Sequence, residues 1–243
     1  MSEGGRPPTD FAAVLANPDP RPLIVGGQAV NIWAEIYAPD APELSAFVPF
    51  TSRDADVHGD RELARLLHER TGWDCRFYDD VRQIAVALLT KKPATTEEPP
   101  LIIEVIRAVT GLTPDDLGRS QTRELRPGEF YRVPTPLVLL KAKLTNLVSL
   151  AKLDRPQDLK HVRMLLPICR AFLLEMHADI GRPDMSERNF IGALNYAKAV
   201  VTTSDAESAT ATHGLALWSI FPSTLARSPH EKVRNFAVHQ IPQ

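Results

Sequence analysis

The chain has 243 residues, 44% of them hydrophobic and 24% charged, with a formal net charge of −2, which suits one large or two small globular units with a real core. No run approaches the roughly eighteen consecutive apolar residues of a membrane helix, and Met1 to Pro8 lacks the charged-then-apolar pattern of a secretory leader, so the expectation is a cytoplasmic protein without a membrane segment. Cys75 and Cys169 are the only cysteines, which argues against a disulfide framework or a zinc site and leaves both as packing residues.

The modest net charge hides an asymmetry. Residues 119–163 hold ten Lys or Arg against four acids, so that stretch carries +6 and, with −2 overall, the rest carries −8. A local basic run of this kind is suited to phosphate, although Lys/Arg-rich solvated helix faces produce the same bias.

In chain order, the first twenty residues are rich in Pro and small polar residues and read as a mobile lead-in, with at most a short helix around Phe11 to Leu15. Arg21 to Val25 reads as a short buried strand, Gly26-Gly27 as a tight turn, and Gln28 to Tyr37 as a helix, because Ala29, Ile32, Trp33 and Ile36 recur at helical spacing. A Pro- and Ala-rich loop spans 39–49. Arg53 to His58 alternates polar with apolar as a strand, and Asp60 is a natural N-cap for a helix to about His68 or Arg70. Strands are expected at 75–78, 81–89, 101–106 and 131–133, around a Pro/Thr/Glu loop at 93–100. After Pro134 the pattern turns helical: 135/136 to 152, 156–177, 186–201, 209–225 and 230–238. The reading is an α/β (α+β) fold with a lead-in (1–20), a mixed-sheet domain (21–133) and a helical subdomain (134–243).

Chemistry concentrates in three places. Asp54 and Asp56 are two apart on an expected strand, so both carboxylates would share one face and converge on a hard cation such as Mg²⁺ or Mn²⁺; alone, an Asp-x-Asp on a strand edge is more often structural. Glu104, a single acid inside Leu-Ile-Ile-Glu-Val-Ile, must be buried or aimed at a functional edge, which would make strand 101–106 a neighbour of strand 53–58, unless its face of the sheet is open to solvent. Gly26-Gly27 at a helix start offers backbone N–H groups to a phosphate, with Gln28 and Ser52 as side-chain donors and Lys141 or Lys143 as cations. The plain alternative is a ligand-free strand-to-helix turn. His58 reads as a surface residue, and Trp33, Trp218 and Phe221 read as core.

These residues, in this order, resemble the polymerase-β-like nucleotidyltransferase superfamily: Val25-Gly26-Gly27-Gln28-Ala29-Val30, then Thr51-Ser52-Arg53-Asp54-Ala55-Asp56, then an acid in a strand. The likeness spans residues 22 to 165 and is nearest to bacterial minimal nucleotidyltransferases related to the abortive-infection toxin family. There, a Lys-bearing helix and an Arg-x-Lys-Asp-like element follow the sheet; the matching positions are Lys141 to Lys143 and Arg155-Pro156-Gln157-Asp158. The resemblance implies a twisted mixed sheet flanked by helices, Mg²⁺ (or Mn²⁺) held by Asp54, Asp56 and Glu104, and an NTP such as ATP bound by Gly26, Gly27, Gln28, Ser52 and Lys141. It implies transfer of a nucleoside monophosphate to an acceptor hydroxyl on an RNA or tRNA end, a protein or a small molecule, and a toxin-type enzyme with an antitoxin partner. The alternative is a catalytically inactive member that binds nucleotide or a regulatory partner, since fold does not fix function. The oligomeric state is not legible.

Overall fold

A computed structural model describes residues 5–16, 21–80, 82–93, 95, 98–150 and 156–242. A 3-10 turn, Pro8–Phe11, runs into α1 (Ala12–Leu15). β1 (Leu23–Val25) passes directly into α2 (Gly26–Tyr37), and a 3-10 segment (Pro42–Phe47) precedes β2 (Ala55–His58). Then come α3 (Arg61–Thr71), β3 (Asp74–Phe77), β4 (Ala85–Lys91), β5 (Leu101–Ile106), α4 (Pro114–Gly118), β6 (Ser120–Arg126) and β7 (Glu129–Pro134). The helices α5 (Pro136–Ser149), α6 (Pro156–Ala178), α7 (Glu187–Val201), α8 (Ser204–His213) and α9 (Glu231–Gln240) follow, with 3-10 turns at Leu217–Ile220 and Ser223–Arg227. The expected α+β class is the one observed, a mixed sheet with helices followed by a helical C-terminal part. Among the described residues no helix is long and apolar enough to cross a membrane.

Two compact units divide the chain: residues 1–36 with 47–139, and residues 37–46 with 140–243. The division between them falls within α5.

The first unit is built on a seven-stranded sheet in the order β3-β4-β5-β2-β1-β7-β6. β2 runs parallel to β5 and antiparallel to β1, and β1 runs parallel to β7. Alternation divides the central strands: Ala55, Val57, Ile103 and Val105 are wholly buried, whereas Asp56, His58, Glu104 and Ile106, on the opposite face, are half-buried. Trp33 of α2, fully buried, donates its indole N–H to the Pro134 carbonyl at 2.8 Å, and the Arg123 guanidinium stands 5.1 Å from its ring. Trp33 is thus core, as its spacing indicated.

The second unit is helical. Tyr37 bonds Glu175, Arg170 pairs with Glu43, and Phe190, Leu194 and Ala197 give α7 a buried stripe at helical spacing.

Several elements differ from expectation. The described part of the lead-in is held in place: Phe11, Val14 and Leu15 are buried, and Arg6 pairs with Ser52 through two backbone hydrogen bonds of 2.8 and 3.0 Å. β2 starts at Ala55, leaving Asp54 in the preceding bend. The strand expected at 81–89 runs 85–91, with Val81 outside the described residues. β6 and α4 were not anticipated. β6, Ser-Gln-Thr-Arg-Glu-Leu-Arg, is polar on both faces and shows no period-2 contrast. α4 is a single turn announced by the Thr113/Asp116 capping box. The helix expected at 209–225 does not form as one piece, because α8 ends at Gly214 in the left-handed region and Pro222 lies beyond it. The end of the helix expected to reach Lys152 falls in residues 151–155, outside the described set.

Candidate active site

The acids meet through strand pairing. β2 and β5 are parallel neighbours in the register Asp56↔Glu104, so these two side chains stand side by side, roughly 5 Å apart at the backbone, on the half-open face. Asp54 joins them from the bend before β2. Burial first, and the Asp54 carboxylate second, hold the Glu104 carboxyl above the usual carboxylate range. The shared strand face expected for Asp54 and Asp56 is replaced by a shared face of Asp56 and Glu104. Among the described residues no three of His, Cys, Asp or Glu form a ready-made metal cage. The donor set nevertheless fits a hard cation, because oxygen-only carboxylates are what Mg²⁺ takes and like charge already disfavours ionised Glu104.

The glycine turn lies against these acids. Val25, the last residue of β1, is the register partner of Asp56. The chain then turns through Gly26 at φ 66°, and a Cβ on Gly26 would overlap Asp56 Oδ2. Glycine is required there for both backbone angle and space. Gly27 follows in the first turn of α2, half-buried, where helix N–H groups lack intrahelical partners and favour an anion.

Gln28 and Ser52 have internal roles that the sequence did not reveal. Gln28, 1% exposed, donates from Nε2 to the Arg6 carbonyl at 2.9 Å. Asn31, one turn on and also 1% exposed, donates to Gln28 Oε1 at 3.2 Å and to Ser52 Oγ at 3.1 Å. The network binds the Arg6 segment, α2 and the approach to Asp54 into one piece. Gln28 thus braces the turn from behind, while the Ser52 hydroxyl keeps its own proton to donate. Asn31 went unnoticed in the sequence; the signal was a second amide one helical turn from Gln28 on an otherwise apolar face.

Lys141 is half-buried on α5 and belongs to the second unit. Lys143 is buried and bonded to Asp158 at 2.7 Å; Gln157 and His161 contact each other at 3.0 Å in the same turn of α6. Within the downstream element Asp158 is buried, as is His161 beyond it, whereas Pro156 and Gln157 are exposed. Arg155 lies outside the described residues. His58 is half-buried on the face of Asp56, two residues along β2.

No protein-family model and no curated protein matches the chain.

Proposed function

We infer that this chain is a metal-dependent nucleotidyltransferase that moves a nucleoside monophosphate from an NTP to an acceptor hydroxyl. One relationship carries the reading: Asp56 and Glu104 are register partners on adjacent parallel strands, and the glycine turn abuts Asp56. Asp54, Asp56 and Glu104 would hold Mg²⁺ or Mn²⁺, which lowers the pKa of an acceptor hydroxyl and neutralises charge on departing pyrophosphate. The backbone N–H groups at Gly26 and Gly27, with the Ser52 hydroxyl, orient the triphosphate. The acceptor oxygen bonds to the α-phosphorus while the bond from that phosphorus to the α–β bridging oxygen breaks, its electron pair leaving with pyrophosphate. Glu104, whose affinity for a proton is raised, is the group suited to take the hydroxyl proton. The basic stretch at 119–163 favours an RNA or tRNA end as acceptor, and the toxin-type resemblance adds an antitoxin partner to the reading.

The test is label transfer: the purified chain with Mg²⁺ and each α-³²P-labelled NTP in turn, offered total RNA or lysate protein, beside Asp54→Ala/Asp56→Ala. Label entering one acceptor pool only with intact acids establishes the enzyme and names donor and acceptor together. NTP binding without any transfer replaces it with the nucleotide-binding module of the same fold.

A further inference from the structure

Away from the acid cluster, the sheet unit contains a pocket of about 420 Å³, lined by Arg21, His58 and Arg132 with Leu63, Leu117 and Gly118 among its walls. Strand register creates it. Leu23 of β1 is the partner of His58 on β2 and of Arg132 on β7, so three adjacent strands deliver these residues to one face of the sheet. Arg21 enters from the residue pair ahead of β1. His58 lies two residues along β2 from Asp56, roughly 7 Å, on the same face.

The electrostatics of the pocket are one-sided. Among the described residues no carboxylate lines it, and neither Arg21 nor Arg132 forms an ion pair. Both guanidinium groups are oriented by uncharged neighbours: Arg21 stands 5.9 Å from the centre of the Phe130 ring, and Arg132 Nε donates to Ser120 Oγ at 3.3 Å. Arg21 and Arg132 are exposed residues lining the same pocket, and two like charges on one concave surface favour an anion between them. Holding them by stacking and a neutral hydrogen bond leaves the remaining N–H donors for a ligand and reduces the ordering needed to bind it.

We propose that this pocket is a phosphate-binding site, in which Arg21 and Arg132 hold the phosphate oxygens through charge-assisted hydrogen bonds and a ring N–H of His58 is a further donor. The ligand class is a phosphate group, free or carried on a small ester. The site stands independently of nucleotidyl transfer, since none of the three acids contributes to it.

Calorimetric titration of the full chain with inorganic phosphate, at constant ionic strength, tests this. Saturable binding at one site is expected, weakened at least about ten-fold in Arg21→Gln/Arg132→Gln. Gly118→Glu gives a second route that keeps both arginines: a Cβ there meets nothing within 4 Å, so the backbone accepts the change and the new carboxylate occupies the cations. It too should lose phosphate affinity, and it decides the matter if the double variant fails to fold. Asp54→Ala/Asp56→Ala should bind phosphate at least as well as the parent, which separates this site from the acid cluster. Ribose 5-phosphate binding more tightly than phosphate, with ribose inert, assigns the site to a phosphoester; equal binding assigns it to free phosphate. Absence of saturable binding in the parent, or equal affinity in both pocket variants, overturns the proposal.

Discussion

Gly26 lies so close to Asp56 that any side chain at position 26 would overlap the carboxylate oxygen Oδ2. The same residue sits at φ 66°, which costs an L-residue roughly 1–2 kcal/mol. Gly26→Ala therefore has two effects, strain in the turn and displacement of Asp56. We expect a loss of about 1–3 kcal/mol in urea denaturation and a fall of about a hundred-fold in the rate of the proposed transfer, the usual cost of a misplaced reacting group. A Gly26→Ala protein with the parent rate would remove Asp56 from the reacting centre.

Glu104 shows the cost of assembling the acids. Its carboxyl is held above the usual range by burial and then by Asp54, so the folded state binds this proton more tightly than the unfolded chain does. The stability this contributes is complete below the ordinary glutamate range and is lost as pH rises through the raised value. At neutral pH, Glu104→Gln removes the strained charge and should raise the melting temperature by about 2–4 °C, while transfer activity falls away. At pH 4 the two proteins should melt together. Mg²⁺ should stabilise the parent at pH 7 and do so less in the Gln variant; calorimetry at the two pH values, with and without Mg²⁺, reads both effects.

The contrast between these acids and their supports explains how far the sequence could be read. Leu101 to Ile106 is a β-branched run with one acid, and its strand matches expectation to the residue. Asp60 caps α3 as anticipated, accepting from the N–H groups of Glu62 and Leu63. Periodicity does not say which strands are neighbours; the expectation that strand 101–106 lies beside strand 53–58 rested on the need for the acids to meet, and it holds, while the residue register Asp56↔Glu104 came only from the sheet. Gln28 was legible as a polar residue near a turn, but its partner, the Arg6 carbonyl, belongs to a segment whose composition suggested mobility. Long-range backbone pairing, such as Arg6 with Ser52, leaves no local periodic signal.

Asn31 makes that hidden bracing testable. Its amide serves two buried acceptors, Gln28 Oε1 and Ser52 Oγ. Asn31→Ala leaves both without this donor and should cost about 1–3 kcal/mol, the penalty for disrupting buried polar groups. Because Ser52 lies two residues before Asp54, nucleotide affinity should fall along with stability. A variant as stable as the parent in urea would show that the network does not hold the turn.

In the second unit, Lys143 and Asp158 form a buried ion pair, with side chains 8% and 2% exposed and a separation of 2.7 Å. Asp158 lies in the first turn of α6, where the helix dipole also favours negative charge. Removing the cation alone with Lys143→Met takes the Lys143 ammonium away from a buried carboxylate and should cost about 3–5 kcal/mol. Replacing both, as Lys143→Met/Asp158→Leu, removes the desolvation penalty together with the attraction, so stability should return to within about 1–2 kcal/mol of the parent or exceed it. Urea denaturation of the two single variants and the double variant yields the coupling between them. Additive losses would mean that the two charges do not stabilise the unit as a pair; a recovered double variant with impaired transfer would assign the pair to function as well as to folding.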